Sequence, residues 1–285
     1  MFAIKLLSRL PLSVLYLIAE VLYLFAYYIV GYRKKVVVNN LRNSFPEKSD
    51  AELKVIEKEY YKRFTQYLVE TLKGITISKE ELLKHVKFVN VPDVQHHADA
   101  AQSIVVIASH QFNWEWALQV GCVVLPFPVD AVYKRLSNDK YDKLMLNARS
   151  RFGGKPIEKS RILRAIVKTK DRLRALGIVA DQSPRAHAPK YWTTFLNKDT
   201  AFFLGPEQIA KIGQFPTYFF KVERQSRGKY TVELIKLSDP PYSKEGHQIL
   251  DRYVEETEKL IKSDPAGYMW SHRRWKLKKP TITEV

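Results

Sequence analysis

Residues 103–108, Ser-Ile-Val-Val-Ile-Ala, form a short β-branched apolar block, the pattern of a strand buried on both faces. From Asn113 to Leu125 the apolar positions switch to helical spacing, and Asn113 stands where an N-cap belongs. The same alternation runs down the chain. Ser49 or Asp50 opens a helical stretch to about residue 74, with Leu53, Ile56, Tyr60, Phe64, Tyr67 and Leu68 along it. A short helix over 78–83 and a strand over 86–91 follow. Beyond the central block the pattern predicts a strand at 129–133, a helix from about 138 to 151 and a Gly153-Gly154 turn. Next come a basic helix around 159–176, a short buried strand at 177–180 and a helix over 204–212. Paired strands at 216–223 and 230–237 precede an amphipathic helix at 247–262. Strands alternating with helices predict an α/β fold, a mixed central sheet flanked by helices. With no linker, repeat or low-complexity tract, residues 36–285 are expected to form one domain.

Residues 1–35 read differently. Between Leu12 and Val30 only Ser13 and Glu20 fall outside the apolar and aromatic set, and about 20 apolar residues suffice to cross a bilayer. Lys5 and Arg9 precede this span, and Arg33, Lys34 and Lys35 follow it. Tyr16, Tyr23, Tyr27, Tyr28 and Tyr32 suit a lipid interface. Glu20 near the middle opposes a full crossing. Residues 1–35 are expected to form an N-terminal membrane-anchoring helix, either transmembrane or embedded in one leaflet; a cleaved signal peptide and an ordinary buried helix are the alternatives. The signal peptide is disfavoured, because a basic cluster stands where a small-residue cleavage site belongs.

Charge sharpens this picture. The 285 residues carry 47 Lys+Arg against 30 Asp+Glu, a formal net charge of +17, with basic clusters at 33–35, 149–174 and 272–279. Such a surplus favours a polyanionic partner, and the apolar N-terminus points to an anionic membrane or lipid. With neither zinc-finger spacing nor an RNA-recognition aromatic motif, no nucleic acid is expected. The single cysteine, Cys122, lies in an apolar helical run and reads as a small core residue. No cluster has metal-ligand spacing and no glycine-rich nucleotide loop is present, so neither metal nor cofactor is expected.

The candidate chemistry sits at the junction after the central strand, Ser109-His-Gln-Phe-Asn-Trp-Glu115. A neutral imidazole can take the proton of a hydroxyl as that hydroxyl attacks a carbonyl. A carboxylate on the other ring nitrogen fixes the tautomer and steadies the imidazolium. His110 is therefore the expected general base and Glu115 its expected orienting partner, with backbone N–H groups at the start of the Asn113 helix as oxyanion donors. Arg135 and Arg149 are candidates to hold phosphate or carboxylate, since arginine binds such groups bidentately; Lys134 is a weaker one. Asp181, at a strand end on the same sheet edge, is a candidate to orient Arg135 or Arg149 or to bind an acceptor. Arg151, Arg161, Arg164, Arg172 and Arg174 read mainly as solvated or membrane-facing charge.

The order of these pieces resembles the lipid A late acyltransferase family, within the lysophospholipid acyltransferase superfamily. The resemblance runs from about Arg33 to Lys276. It is carried by Arg33 through Asn40-Leu41 to Phe45-Pro46-Glu47, by His110 to Glu115, and by Tyr133-Lys134-Arg135 with Asn138, Arg149 and Gly153-Gly154. Ala180-Asp181-Gln182 and His272-Arg273-Arg274-Trp275-Lys276 complete it. Ser109 and residues 193–200 depart from the family pattern. The resemblance implies a cell inner-membrane enzyme with its catalytic part on the cytoplasmic side. Its reaction would be O-acyl transfer from an acyl thioester, on acyl carrier protein in preference to coenzyme A, to a hydroxyl of a lipid A precursor. His110 and Glu115 would be catalytic. Asn113, Lys134, Arg135, Arg149, Asp181, Gln182, Arg273 and Arg274 would contact substrate. Other acceptors (a phospholipid, glycolipid or aminolipid) and a non-catalytic basic membrane-surface or nucleic-acid binding protein are the competing readings.

Overall fold

The computed structural model describes residues 2–169 and 171–280; residues 281–285 of the expected domain lie outside them. The apolar block becomes β2 (Ile104–Ala108), all five residues buried. It lies between β5 (Ala175–Val179) and β8 (Thr217–Ser226), parallel to both. Outside these are β3 (Val129–Tyr133) and β4 (Lys155–Glu158) on one side, and β9 (Lys229–Ser238) and β1 (Val86–Phe88) on the other. Only β8 and β9 run antiparallel, so the seven-stranded sheet is mixed. Its two faces feed separate cores, as the two-residue period of a strand requires. Val105, Ile107, Leu176, Ile178 and Phe219 point into one, and Ile104, Val106, Ala108, Ala175, Tyr218 and Phe220 into the other.

The Asp50–Lys73 helix supplies Tyr60, Tyr61 and Tyr67 to the first core, and the Gln248–Ser263 helix supplies Ile249, Tyr253, Leu260 and Ile261. The Trp114–Val124 helix supplies Trp116, Ala117 and Val120 to the second. The capping serine is Ser49, which forms a reciprocal capping box with Glu52. Additions to the expected set include the Lys34–Ser44 helix, edge strand β4, and an antiparallel hairpin of β6 (Lys190–Phe195) and β7 (Lys198–Phe203). The basic helix is shorter than expected. A 3₁₀ turn at Lys159–Arg161 leads into a helix over Ile162–Lys168, and residues 175 and 176 already belong to β5. Arg174 is fully buried there, 3.4 Å from Asp130, with Arg172 on the same carboxylate. These two arginines are structural, not surface charge.

The N-terminal apolar run is helical from Leu12 to Leu24 and continues as a π-helix over Phe25–Val30, ending at Gly31 in the left-handed region at φ 61°. Leu15, Ala19, Tyr23 and Tyr27, four apart, form a stripe buried against the body, whereas Leu17, Val21 and Ile29 are 70%, 66% and 73% exposed. The run is long and apolar enough to cross a membrane, yet one face of it is packed on protein. Glu20 sits beside that packing, 4.0 Å from Arg227.

Candidate active site

Sheet register brings the central pair together. Ala108 on β2 is paired with Val179 on β5, so His110 and Asp181, each two residues further on, leave the sheet side by side at its C-terminal edge. Nδ1 of His110 lies 2.6 Å from Asp181 Oδ1, and the His110 backbone N–H donates to Oδ2 at 3.1 Å. Burial of Asp181 opposes its charge, but the His110 ring with its two hydrogen bonds, helped by Arg274, holds the carboxyl below its usual range. A carboxylate only accepts, so Nδ1 carries a hydrogen, and in the neutral ring Nε2 then keeps its lone pair. Gln182 Nε2 lies 3.1 Å from that Nε2 and donates to it. The His110 side chain is 17% exposed.

The loop holding His110 is clamped from behind. Phe112 N–H donates to Gly267 O at 3.0 Å, Met269 N–H donates to His110 O at 3.2 Å, and Gln111 bridges to Tyr268. The Tyr253 hydroxyl donates to Ala108 O at 2.9 Å. The chain after the Gln248–Ser263 helix thus fixes where the imidazole sits.

The expected partnership of His110 with Glu115 is not the one made. Glu115 receives Arg149 in a two-point fork, Nε to Oε2 at 3.0 Å and Nη2 to Oε1 at 2.5 Å. Trp114 stands between the two sites: its ring is 4.8 Å from the His110 ring, edge to face, and its indole N–H donates to Glu115 Oε1 at 3.3 Å. Asn113 is the N-cap, accepting from the Glu115 and Trp116 amides at 3.1 Å each. Those two amides are therefore occupied, a correction to their expected use for an oxyanion. Asp181 likewise orients His110 and neither arginine.

Other expected residues scatter. Lys134 and Arg135 follow β3 on the same sheet edge, but both are exposed, and Arg135 pairs with Asp139 at 2.9 Å. Arg273 is exposed, whereas Arg274 is 2% exposed, its guanidinium 4.4 Å from the Phe202 ring. None of its nitrogens has a hydrogen-bond partner among the described residues. His272 Nε2 accepts from the Ser183 amide at 3.2 Å. Burial lowers its pKa to about 4 and keeps the ring neutral, with Arg274, His110 and Lys276 acting in the same direction against Asp181.

One residue escaped the sequence reading. Glu70, fully buried in the Asp50–Lys73 helix, accepts from Tyr16 of the apolar helix at 2.9 Å, Tyr230 of β9 at 2.7 Å and Asn113 at 2.9 Å. It joins the N-terminal helix to the cap of the site helix. Its only sequence signal is a glutamate on the apolar side of an amphipathic pattern. Among the described residues no His, Cys, Asp and Glu side chains converge to hold a metal.

A comparison with curated proteins finds no match. A family model described as bacterial lipid A biosynthesis acyltransferase matches residues 1–277, which takes in the apolar helix, the sheet and every residue named above. The chain therefore belongs to the bacterial lipid A biosynthesis acyltransferase family.

Proposed function

We propose that the protein moves a fatty acyl chain from an acyl thioester to a hydroxyl of a lipid A precursor, with His110 as general base and Asp181 as its orienting carboxylate. Nε2 takes the proton of the acceptor hydroxyl while its oxygen attacks the thioester carbonyl. The tetrahedral intermediate then collapses, the C–S bond breaks, and the imidazolium returns the proton to the departing thiolate. Gln182 leaves Nε2 as the hydroxyl arrives and is placed to hold that oxygen. Glu115 fixes Arg149, a cation that receives either the developing oxyanion or an acceptor phosphate. The observation carrying this reading is the 2.6 Å contact of Asp181 with Nδ1, which leaves Nε2 as the basic nitrogen.

The donor is an acyl carrier protein thioester in preference to coenzyme A. The protein lies at the cell inner membrane with its sheet on the cytoplasmic side. The exposed apolar face of the 12–30 helix meets lipid, and the packing of its other face with Glu20 beside Arg227 supports embedding in one leaflet. Mass spectrometry of lipid A from cells holding wild-type protein, His110→Ala or none tests the proposal. Wild type alone should carry one additional acyl chain. An identical pattern in all three refutes the lipid A assignment, and acylation of another lipid class moves the acceptor there.

A further inference from the structure

Cations from opposite ends of the chain meet at one cleft. Asn40 donates to the carbonyls of Trp270 at 2.8 Å and His272 at 2.9 Å, and Arg33 Nη1 donates to that of Ser271 at 3.0 Å. Three consecutive carbonyls are thus gripped by the segment after the apolar helix. The grip seats Arg273 against Arg33, Lys34 and Lys35 in an open cleft of about 680 Å³, completed by Gly31, Val36, Val38 and Asn39. Among the described residues none of the four cations is paired with a carboxylate. Lys34 instead sits 4.0 Å over the Tyr27 ring. Tyr28, Ile29 and Val30, immediately before Gly31, are 61%, 73% and 55% exposed.

A ligand fitting both features carries an anionic head and apolar tails. We propose that this cleft binds the phosphate of an anionic membrane lipid whose acyl chains lie along the exposed face of the 12–30 helix. The apolar margin argues against nucleic acid, which would leave it in water. The same 267–274 segment clamps the His110 loop on one side and is held by Arg33 and Asn40 on the other. A lipid seated in the cleft therefore sets how the active-site edge meets the membrane. The inference rests on the lipid-directed reading of the protein, but not on the identity of its catalytic base.

The test is flotation of the full-length protein with phosphatidylcholine vesicles, with and without phosphatidylglycerol. Variants are K34Q/K35Q/R273Q, which keeps the Arg33 grip on Ser271, and a charge-matched control, K87Q/K143Q/K244Q, drawn from exposed lysines elsewhere. At about 1 kcal/mol per basic side chain near an anionic surface, each cleft residue is worth about fivefold, so the triple variant should bind anionic vesicles about 100-fold more weakly. The control should lose far less. Equal losses in both triples, or no loss in the cleft variant, overturn the proposal. Competition by inorganic phosphate with no preference for anionic vesicles assigns a free-phosphate site and also overturns it. His110→Ala should bind vesicles as wild type does, so failed turnover and a failed cleft are told apart. For the acceptor itself, a raised KM with unchanged kcat in the cleft triple identifies it as the bound lipid. Weakened vesicle binding with KM unchanged in detergent identifies a bilayer lipid.

Discussion

Asp181 and Glu115 are both buried carboxylates held by a nitrogen partner at 2.6 and 2.5 Å, but different elements place them. Asp181 stands at a strand end, and parallel register with β2 sets it beside His110. Glu115 stands in the first turn of a helix, behind its Asn113 cap, and meets Arg149 from the end of the Asp139–Ser150 helix. The first pair leaves Nε2, beside Gln182, as the nitrogen free of the carboxylate; the second presents a fixed guanidinium. In this fold a spacing of four intervening residues carries Glu115 to Arg149 and leaves the imidazole to Asp181. The loop at 109–112 is tied to residues 267–269, which turns the imidazole toward the neighbouring strand instead of the following helix.

Replacing the two carboxylates separately is the sharpest way to break this comparison. Asp181→Asn keeps the shape but no longer enforces hydrogen on Nδ1, so kcat should fall on the order of 10³-fold or more, approaching His110→Ala. Glu115→Gln loosens the fork on Arg149. Activity should fall about 10²-fold through misplacement of the guanidinium, and stability by roughly 1–3 kcal/mol, discounted for partial exposure of Arg149. Pairing it with Arg149→Gln should restore much of the stability and none of the activity, as denaturant melts beside turnover assays will show. If Glu115→Gln matches His110→Ala while Asp181→Asn keeps most turnover, the roles are reversed and Glu115 is the functional partner.

Periodicity carried most of the fold into view. The fully apolar β2, the 129–133 strand and the Asn113 and Ser49 caps are local patterns with one geometry each. His110 and Asp181 could be named as candidate residues for the same reason, since each lies just beyond a buried strand; Gln182 entered only through the family resemblance. Their pairing could not, because it depends on which strands are neighbours and in what register. Arg174 was not legible because a basic run looks alike whether it is solvated or sunk against a carboxylate such as Asp130, 44 residues away in sequence. The β6–β7 hairpin hid in a polar, proline-flanked stretch whose inward residues, Phe195 and Phe202, are too few to show alternation.

Glu70 connects both halves of the comparison to the membrane side. Its three donors leave no room for an amide: in Glu70→Gln the new NH₂ cannot accept, so either Tyr16 on Oε1, or Tyr230 and Asn113 together on Oε2, lose their acceptor. An orphaned buried donor costs about 1–3 kcal/mol. Where Asn113 is the loser, the cap shifts and kcat should drop by about tenfold with KM little changed. Tyr16→Phe removes one donor without touching Asn113 and should lower stability while leaving kcat near wild type. Equal kcat losses in the two variants would mean that Glu70 acts on the site through overall stability alone.

The smallest effect separates the site's two histidines by acid. His272 titrates near pH 6.5 in the unfolded chain but is held to about 4 in the fold, chiefly by burial. Between those values the unfolded state binds a proton that the folded state refuses, so stability is at its full level above about pH 6.5 and declines as pH falls toward 4. Asp181, lowered in the fold, adds its own loss only further down, as pH drops below the ordinary aspartate range. His97, also lowered by burial, contributes to the upper window and should leave a residual slope. His272→Asn should therefore flatten the plot of Tm against pH between about 6.5 and 4 without abolishing it, and should lower Tm at neutral pH through the lost Ser183 contact. A slope identical to wild type would show that His272 is charged in the folded protein.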